Sequence, residues 1–327
     1  MELLYLFVIL SGICFITTLF LIILSIWFLK KKNFLVVDYH KLDKRLVPKP
    51  AGPAIFVGIA LPLAFLFFYT SNVEYFAILL SVFIVFLIGV VDDFKVLSGN
   101  MKTGLTILGA LPILFFRVYN PHLLFPILGL TRLTIVYPLI VLLAIPIIAN
   151  AMNMIDVYNG TVSGVALVLS FSQLIPILLY GKQGDVIFPL LLMSSSFAFY
   201  LFNRYPSKIF AGDSGSLLLG SLFGATAIVS GTEIPSLIAF VPAILNGFYI
   251  LASVKKFIEH RSIKERPVQL NEDGLLVASK HKEAPMTLAR LIVADGPMSE
   301  KEASSKIILL FVYSVALAIL TSFLMRG

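Results

Sequence analysis

LLYLFVILSGICFITTLFLIILSIWFL, residues 3–29, is a stretch without a single charged side chain. No basic residue precedes it, and it is much longer than the roughly 7–15 apolar residues of a signal-peptide core. A helix needs about 20 predominantly apolar residues to cross the hydrocarbon of a bilayer. The stretch therefore predicts a first membrane-spanning helix.

Further apolar runs of spanning length follow along the chain. They fall at about residues 53–70, 74–91, 103–118, 133–149, 160–180, 186–202, 214–231, 235–254 and 304–325. The run at 103–118 is marginal, and the proline-bearing stretch 121–130 is open to a re-entrant or interfacial interpretation. We therefore expect ten spans, with nine or eleven as the alternatives.

The overall composition supports the same fold class. Of 327 residues, 59% are hydrophobic and 13% are charged, and the mean hydropathy is +0.98. Soluble domains carry roughly a quarter charged residues, so soluble globular, disordered, collagen-like and coiled-coil proteins are excluded. The single cysteine, Cys14, excludes a disulfide or a Cys-based zinc site within one chain. We predict an all-α, polytopic integral membrane protein, with one domain over residues 1–327.

The charges are distributed unevenly between the two faces that ten spans create. The segments on the first face are 30–52, 92–102, 150–160, 203–213 and 255–306. They hold 21 of the 25 Lys/Arg and 14 of the 18 Asp/Glu residues. Because Lys and Arg accumulate in cytoplasmic loops, this face is expected to be cytoplasmic and both termini to lie outside. The net charge of +7 then reflects topology, and no nucleic-acid partner is expected.

The long loop 255–306 is expected to be structured. Its segment 286–294 is amphipathic and is predicted to lie against membrane lipid.

Two polar clusters lie where predicted spans reach the first face. Asp92 and Asp93 end the third span, and Lys102 follows; adjacent carboxylates repel each other unless a cation or a basic side chain separates them. Asn153 and Asp156 close the fifth span and fall on one side of a helix. Such groups next to hydrocarbon are functional candidates. The alternatives are a solvated helix end for the acids and hydrogen bonding between helices for the amide.

Two further clusters lie on the same face. Asp213 begins the eighth span, where we expect it to cap the helix N-terminus, a position that favours anions, and Phe210 precedes it. His260 and Arg266 lie in the long loop, and arginine pairs well with phosphate oxygens. Asp213 as a cap only, Phe210 as an apolar anchor, and a basic loop produced by topology alone are the alternatives.

All four clusters share one face, which favours a single site. Carboxylates among cations at a membrane boundary suit Mg²⁺-assisted phosphoryl chemistry, with one substrate arriving from water and the other from lipid. A secondary transporter is the alternative from another class, but transporters place ionisable groups near the bilayer midplane on repeated helices. Here the acids gather at one boundary, and no internal repeat is visible.

The motifs resemble those of a known family. Asp92-Asp93, the pattern Asn-x-x-Asn-x-x-Asp…Asn-Gly over residues 150–160 and Phe-x-Gly-Asp-Ser-Gly over residues 210–215 resemble the signature segments of the polyprenyl-phosphate N-acetylhexosamine-1-phosphate transferases. The resemblance covers nearly the whole chain. It implies a ten-helix membrane enzyme with a cytoplasmic active site, in a cell membrane or an endoplasmic reticulum, and it allows a homodimer.

Within that family, the loop from Asp38 through Lys44 to Gly52 resembles the eukaryotic and archaeal GlcNAc-1-phosphate branch. The region of Arg266 also resembles that branch, and the His-rich loop motif of the bacterial phospho-MurNAc-pentapeptide transferases is missing. Asp156, in contrast, matches the bacterial pattern. The assignment within the family is therefore mixed, and another UDP-N-acetylhexosamine, including UDP-MurNAc-pentapeptide, stays an alternative.

The resemblance also implies roles for individual residues. Asn153 and Asp213 would bind Mg²⁺, with Mn²⁺ as an alternative ion, and Lys102 would contact phosphate. The implied substrate contacts are Lys44 in the N-terminal loop, Asp156 and Asn159 on the nucleoside, Phe210 on the uracil, and Arg266 with His260 on the pyrophosphate. Asp92 and Asp93 correspond to the acids credited with activating the lipid phosphate.

The implied reaction is attack by a polyprenyl or dolichyl phosphate on the β-phosphorus of UDP-GlcNAc, which releases UMP. This is the first step of lipid-linked oligosaccharide synthesis. Because a phosphate monoester has a second pKa of about 6 and is already mostly dianionic at pH 7, a general base would add little. We therefore expect Asp92 and Asp93 to position the lipid phosphate, Lys102 and the metal.

Overall fold

The computed structural model describes residues 2–127, 129–254 and 265–325, and this part of the chain is predominantly helical. In chain order the helices are α1 (Glu2–Lys31), α2 (Gly52–Thr70), α3 (Val73–Phe94), α4 (Gly99–Thr106), α5 (Leu111–Phe115), α6 (Tyr137–Met154), α7 (Thr161–Tyr180), α8 (Ile187–Asn203), α9 (Gly212–Val229), α10 (Glu233–Val254), α11 (Leu288–Ile292) and α12 (Glu300–Leu324). Among the described residues, all but α4, α5 and α11 are long and apolar enough to span a membrane, which makes nine. The predicted all-α, polytopic fold is confirmed.

The fourth predicted span, residues 103–118, is present as a broken helix. Helices α4 and α5 are joined by a 3-10 turn at Ile107–Ala110, and Pro112 lies in the first turn of α5. Lys102 in α4 contacts Asp213, while Tyr137, at the start of the next long helix, donates a hydrogen bond to Glu233 at the opposite end of the bundle. The broken segment therefore carries the chain from one end of the bundle to the other.

Three short antiparallel hairpins lie in the connecting segments. They are β1 (Leu35–Val37) with β2 (Leu46–Pro48), β3 (His122–Phe125) with β4 (Gly129–Arg132), and β5 (Val268–Leu270) with β6 (Leu276–Ala278). The second hairpin occupies the stretch 121–130, for which the sequence left a re-entrant or interfacial path open. In each hairpin the two strands pair their backbone N–H and C=O groups with each other. Without this pairing, these groups of the connecting segments would need water as a partner.

Helix α9 is the centre of the bundle. All 18 of its residues are buried, and it packs against α2, α3, α6, α7 and α8. Glycines permit backbone-to-backbone approach there: a Cβ on Gly89 of α3 would lie 2.5 Å from the Cα of Ser214, and one on Gly220 would lie 2.7 Å from the Cα of Ala149. Packing through small residues is the usual way in which membrane helices associate closely.

The ends of the helices define two ends of the bundle. We define the site end of the bundle by the last residues of α3, α6 and α8, which are Phe94, Met154 and Asn203. Helices α2, α9 and α12 begin at this same end. Both ends of the described chain lie at the other end, where Tyr180 at the end of α7 contacts Met325. This arrangement agrees with the alternation of segments derived from the hydropathy pattern.

We expect Gly89→Ala to destabilise the protein, because the added Cβ would push α3 away from α9. Overpacking of a tight interface costs about 1–3 kcal/mol. The apparent melting temperature in detergent can be followed with a fluorogenic maleimide, since Cys14 is the single cysteine and is fully buried. The control is Gly12→Ala, whose Cβ would meet nothing within 4 Å. An unchanged melting temperature for Gly89→Ala would show that this helix contact is not limiting.

Candidate active site

Three of the four sequence clusters meet around the ammonium group of Lys102. Its Nζ lies 2.7 Å from Asp92 Oδ2, 2.5 Å from Asp213 Oδ1 and 3.1 Å from Asn153 Oδ1. Asp92 is fully buried, and its other oxygen accepts a hydrogen bond from the backbone N–H of Leu97 at 2.7 Å. A buried charge must be paired, and here four helices each contribute a member of the pairing: α3, α4, α6 and α9.

Asp93 caps the N-terminus of α9, and the prediction that Asp213 is its N-cap is wrong. Asp93 accepts hydrogen bonds from the backbone N–H groups of Asp213 and Ser214, at 2.8 and 3.0 Å, and from Ser214 Oγ at 2.6 Å. Gly212, with φ of +75°, makes the turn that precedes these groups and is the first residue of the helix. Asp213 therefore lies inside the first turn, and its carboxylate is directed to side chains of other helices.

The carboxylate of Asp213 is shared among several partners. Asn153 Nδ2 donates to Asp213 Oδ1 at 3.0 Å and to Ser216 Oγ at 2.7 Å. Lys49 Nζ lies 3.2 Å from Asp213 Oδ2 and 3.2 Å from Asp93 Oδ1. Neither Lys49 nor Ser216 was predicted from the sequence as a site residue. Lys49 is one of many lysines on this face, and nothing in its local sequence distinguishes it.

Backbone hydrogen bonds join the Lys49 segment to the start of α9. The N–H of Phe210 donates to Pro48 O, and the N–H of Ala51 donates to Phe210 O, both at 2.9 Å. Phe210 thus lies next to the cluster, as its predicted role requires, and its ring is half-buried. These contacts also make its backbone the anchor of the Lys49 segment.

Asp156 lies beside the cluster in the turn between α6 and α7. Burial raises the pKa of its carboxyl to about 7; the nearby charge of Lys49 lowers this pKa, and those of Asp213 and Asp93 raise it further. The shift arises mainly because burial disfavours the charged form of the carboxyl.

The donor set fits a divalent cation. The charged groups at this point are Asp92, Asp93, Asp156, Asp213, Lys49 and Lys102. Four carboxylates against two ammonium groups leave two negative charges when all are ionised. Oxygen donors of this kind are those that Mg²⁺ prefers. Asp213 and Asn153 are the members of this set that the sequence predicts as metal ligands, and their side chains contact each other.

Asn159 belongs to a second polar cluster and not to the Lys102 cluster. Its side chain donates to Asp38 Oδ2 at 3.1 Å, and its backbone N–H donates to Glu300 Oε1 at 2.8 Å. Lys41 forms ion pairs with both of these acids. Asn159 therefore ties the N-terminal loop to the start of α12, a role that the sequence did not predict.

The second cluster is a weak candidate for a metal. Ligand atoms of Asp38, His40 and Glu300 lie within 4.8 Å of one another. Lys41 and, at 3.6 Å from Asp38, Arg45 already balance the two acids. Burial lowers the pKa of His40 to about 4, so its ring is neutral at physiological pH and adds no charge.

The remaining predicted contacts are spread over the site end. Lys44 is exposed in the turn of the first hairpin. Arg266 is exposed, and its guanidinium lies 3.9 Å from the ring centroid of Tyr39, next to the second cluster. His260 lies outside the described residues. The structure thus brings Arg266 to the N-terminal loop and does not bring Lys44 to the carboxylates.

The chain is similar to known proteins over most of its length. The sequence profile of glycosyl transferase family 4 matches residues 75–231. A protein of Methanocaldococcus jannaschii named as a glycosyltransferase is 29% identical over 265 residues, covering 80% of this chain and 79% of that protein. A Sulfolobus acidocaldarius protein named as a UDP-N-acetylglucosamine–dolichyl-phosphate N-acetylglucosaminephosphotransferase is 30% identical, covering 70% and 72%. A Bacillus subtilis protein named as an undecaprenyl-phosphate N-acetylglucosaminyl 1-phosphate transferase is 30% identical, covering 68% and 67%.

We expect Asp156→Asn to change how stability depends on pH in metal-free buffer. A raised pKa means that the folded wild type keeps its proton up to about pH 7, whereas the unfolded chain releases it near pH 4. Wild-type stability should therefore fall between these values, by at most about 1.4 kcal/mol per pH unit, while the variant lacks this contribution. Melting temperatures at pH 5 and pH 8 test this, with the exposed Asp295→Asn as control. Equal pH dependence in wild type and Asp156→Asn would contradict the expectation.

Proposed function

Because this chain belongs to glycosyl transferase family 4, we propose that it transfers GlcNAc-1-phosphate from UDP-GlcNAc to a polyprenyl or dolichyl phosphate and releases UMP. The chain is a multi-pass membrane protein and a phospho-sugar transferase. The observation that carries the proposal is the Lys102 cluster, in which carboxylates and ammonium groups from four helices meet at one end of a membrane bundle. A polar site at such a boundary is accessible to a water-soluble nucleotide sugar and to a lipid phosphate.

The choice of GlcNAc rests on two arguments. Two of the relatives described above are named for N-acetylglucosamine transfer. The chain also lacks the His-rich loop motif of the enzymes that use UDP-MurNAc-pentapeptide.

We place the site end on the cytoplasmic side. The segments at this end hold 21 of the 25 Lys/Arg residues, and such residues accumulate in cytoplasmic loops.

The geometry favours a mechanism without a general base. The attacking lipid phosphate is already mostly dianionic near neutral pH. Asp93 accepts three hydrogen bonds at the start of α9, so both of its oxygens are engaged. Asp92 pairs with Lys102 in the fully buried interior. In this mechanism the two acids hold the helix terminus and the lysine in position, and neither takes a proton.

Asp213 and Asn153 are proposed to hold Mg²⁺, with Asp156 adding negative charge beside them. When bound, the ion would neutralise charge on the pyrophosphate and stabilise the leaving UMP. Ser216 receives a hydrogen bond from Asn153 and so orients its amide. The lysines at the same site place positive charge close to the phosphates. Charges held in position in this way stabilise the negative charge that develops in the transition state.

The proposed activity is tested by incubating purified protein with polyprenyl phosphate and, in turn, UDP-GlcNAc, other UDP-N-acetylhexosamines and UDP-MurNAc-pentapeptide. We expect UMP release and a lipid-pyrophosphoryl product with UDP-GlcNAc, abolished by EDTA and restored by Mg²⁺. Asp213→Ala should be inactive at every Mg²⁺ concentration, because it loses a proposed metal ligand. Product from another UDP-sugar alone would reassign the substrate, and appreciable activity of Asp213→Ala would rule out its metal role.

Asp93→Asn separates capping from base catalysis. The amide can replace only one acceptor oxygen, so we expect a loss of roughly 0.5–2 kcal/mol of stability, typical of a lost helix cap. The turnover number should fall by the same factor at every pH, so the shape of the pH–rate profile should not change. A steep recovery of activity above pH 7, with normal substrate binding, would instead establish Asp93 as a general base.

A further inference from the structure

The two lysines of the candidate active site differ in exposure and in the closeness of their ion pairs. The side chain of Lys102 is 5% exposed, and that of Lys49 is 21% exposed. Lys102 Nζ lies 2.7 and 2.5 Å from its carboxylate partners, whereas Lys49 Nζ lies 3.2 Å from each of Asp93 and Asp213. Lys102 is therefore an interior group, and Lys49 lies at the edge of the cluster that solvent reaches.

Hydrogen bonds of the neighbouring residues fix the backbone of Lys49, whereas its long, unbranched side chain can change rotamer. Pro48 on one side accepts a hydrogen bond from Phe210, and Ala51 on the other donates to Phe210. Lysine carries its charge on a flexible four-carbon chain with three rotatable donors. The ammonium group can therefore turn from a carboxylate to a neighbouring anion without movement of the loop.

The N-terminus of α9 does not offer its own amides to an anion. A helix N-terminus commonly binds phosphate through its free N–H groups. Here Asp93 already accepts from the N–H groups of Asp213 and Ser214. A phosphate arriving at this point is therefore bound by a cation, either the proposed Mg²⁺ or a side chain, and not by these two amides.

We propose that Lys49 binds a phosphate of the substrate and that Lys102 is the internal counter-ion of Asp92 and Asp213. This inference rests on the proposed function and departs from the role that the family resemblance gives to Lys102. If Lys49 turns to a phosphate, it exchanges one charge-assisted hydrogen bond for another at the edge of the site. If Lys102 turned away, Asp92 would stay buried without its cation, which is strongly unfavourable.

Three other basic side chains at this end contact residues in or next to the second cluster. Lys41 pairs with Glu300 and Asp38, and Arg45 lies 3.6 Å from Asp38. Arg266 lies over the ring of Tyr39. These side chains can form a wall of the site, but their contacts are with the N-terminal loop and α12, whereas Lys49 contacts the carboxylates directly.

Amine labelling of the wild-type protein tests the inference without any substitution. Brief acetylation, read by mass spectrometry, measures the reactivity of each lysine with and without UDP, inorganic pyrophosphate or farnesyl phosphate. We expect a ligand that raises the melting temperature to slow the acetylation of Lys49. The internal control is Lys95, which is exposed at the same end. Protection by UDP or pyrophosphate would assign Lys49 to the nucleotide sugar, and protection by farnesyl phosphate alone would assign it to the lipid.

Steady-state kinetics provide a second readout. Lys49→Gln should raise KM for the substrate that protects Lys49 by about ten- to hundredfold, the usual effect of removing a hydrogen bond to a charged group, with a smaller change in kcat. Lys49→Arg should retain most of the affinity, and Lys95→Gln should match the wild type. Lys102→Gln should instead lower the melting temperature and kcat together.

The inference is overturned if bound ligands leave the labelling of Lys49 unchanged, or if a folded Lys49→Gln protein keeps the wild-type KM. If Lys49→Gln does not fold, the labelling of the wild type decides. Protection of Lys49 without any transfer from UDP-GlcNAc would support the inference and reject the proposed function. Transfer with Lys49 unprotected would do the reverse.

Discussion

The site end of this protein depends on the ion pairs and hydrogen bond that the ammonium group of Lys102 makes in the interior. This group lies among the oxygens of Asp92, Asp213 and Asn153, in a region where water is largely excluded. A buried carboxylate that loses its partner destabilises the fold, so this one lysine links α3, α4, α6 and α9. The break in the helix at residues 107–110 fits the same requirement, because α4 is a short piece that carries Lys102 into the centre.

A second constraint is the complete burial of α9. Its first turn must have its N–H groups satisfied without water, and Asp93 of α3 satisfies two of them. That cap reaches α9 because Gly89, one turn earlier on α3, lets the two backbones touch. The close packing at Gly89 and the position of Asp93 are therefore parts of the same contact between α3 and α9. Stability and the chemistry of the site depend on the same few residues, and this gives Asp93 a clear structural function besides any influence on substrates.

The candidate site was predictable in its membership and less so in its roles. Asp92, Asp93, Lys102, Asn153 and Asp213 could be selected because polar groups next to hydrocarbon need a reason to be there, and the structure brings all five together. The capping role passed from Asp213 to Asp93, since a cap provided by another helix leaves no local signal in the sequence. Asn159, for which the family resemblance implies a nucleoside contact, holds Asp38 and Glu300 together, a structural role that its local sequence does not show. Lys49 could not be selected, because a lysine in a basic loop at a membrane boundary is ordinary in sequence and becomes unusual only when two buried acids lie beside it.

The sequence by itself predicted the polytopic helical fold and the concentration of charge in the segments that meet at one end of the bundle. Hydropathy and charge are properties of a segment read in order along the chain, and the bilayer acts on each segment almost independently. Only the tertiary structure decided which acid caps α9, which lysine is internal and which is accessible, and which polar residues serve the loop instead of the site. These contacts join residues 111 to 164 positions apart, such as Lys102 with Asp213 and Lys49 with Asp213. They depend on how closely the helices pack, a property that no single segment carries.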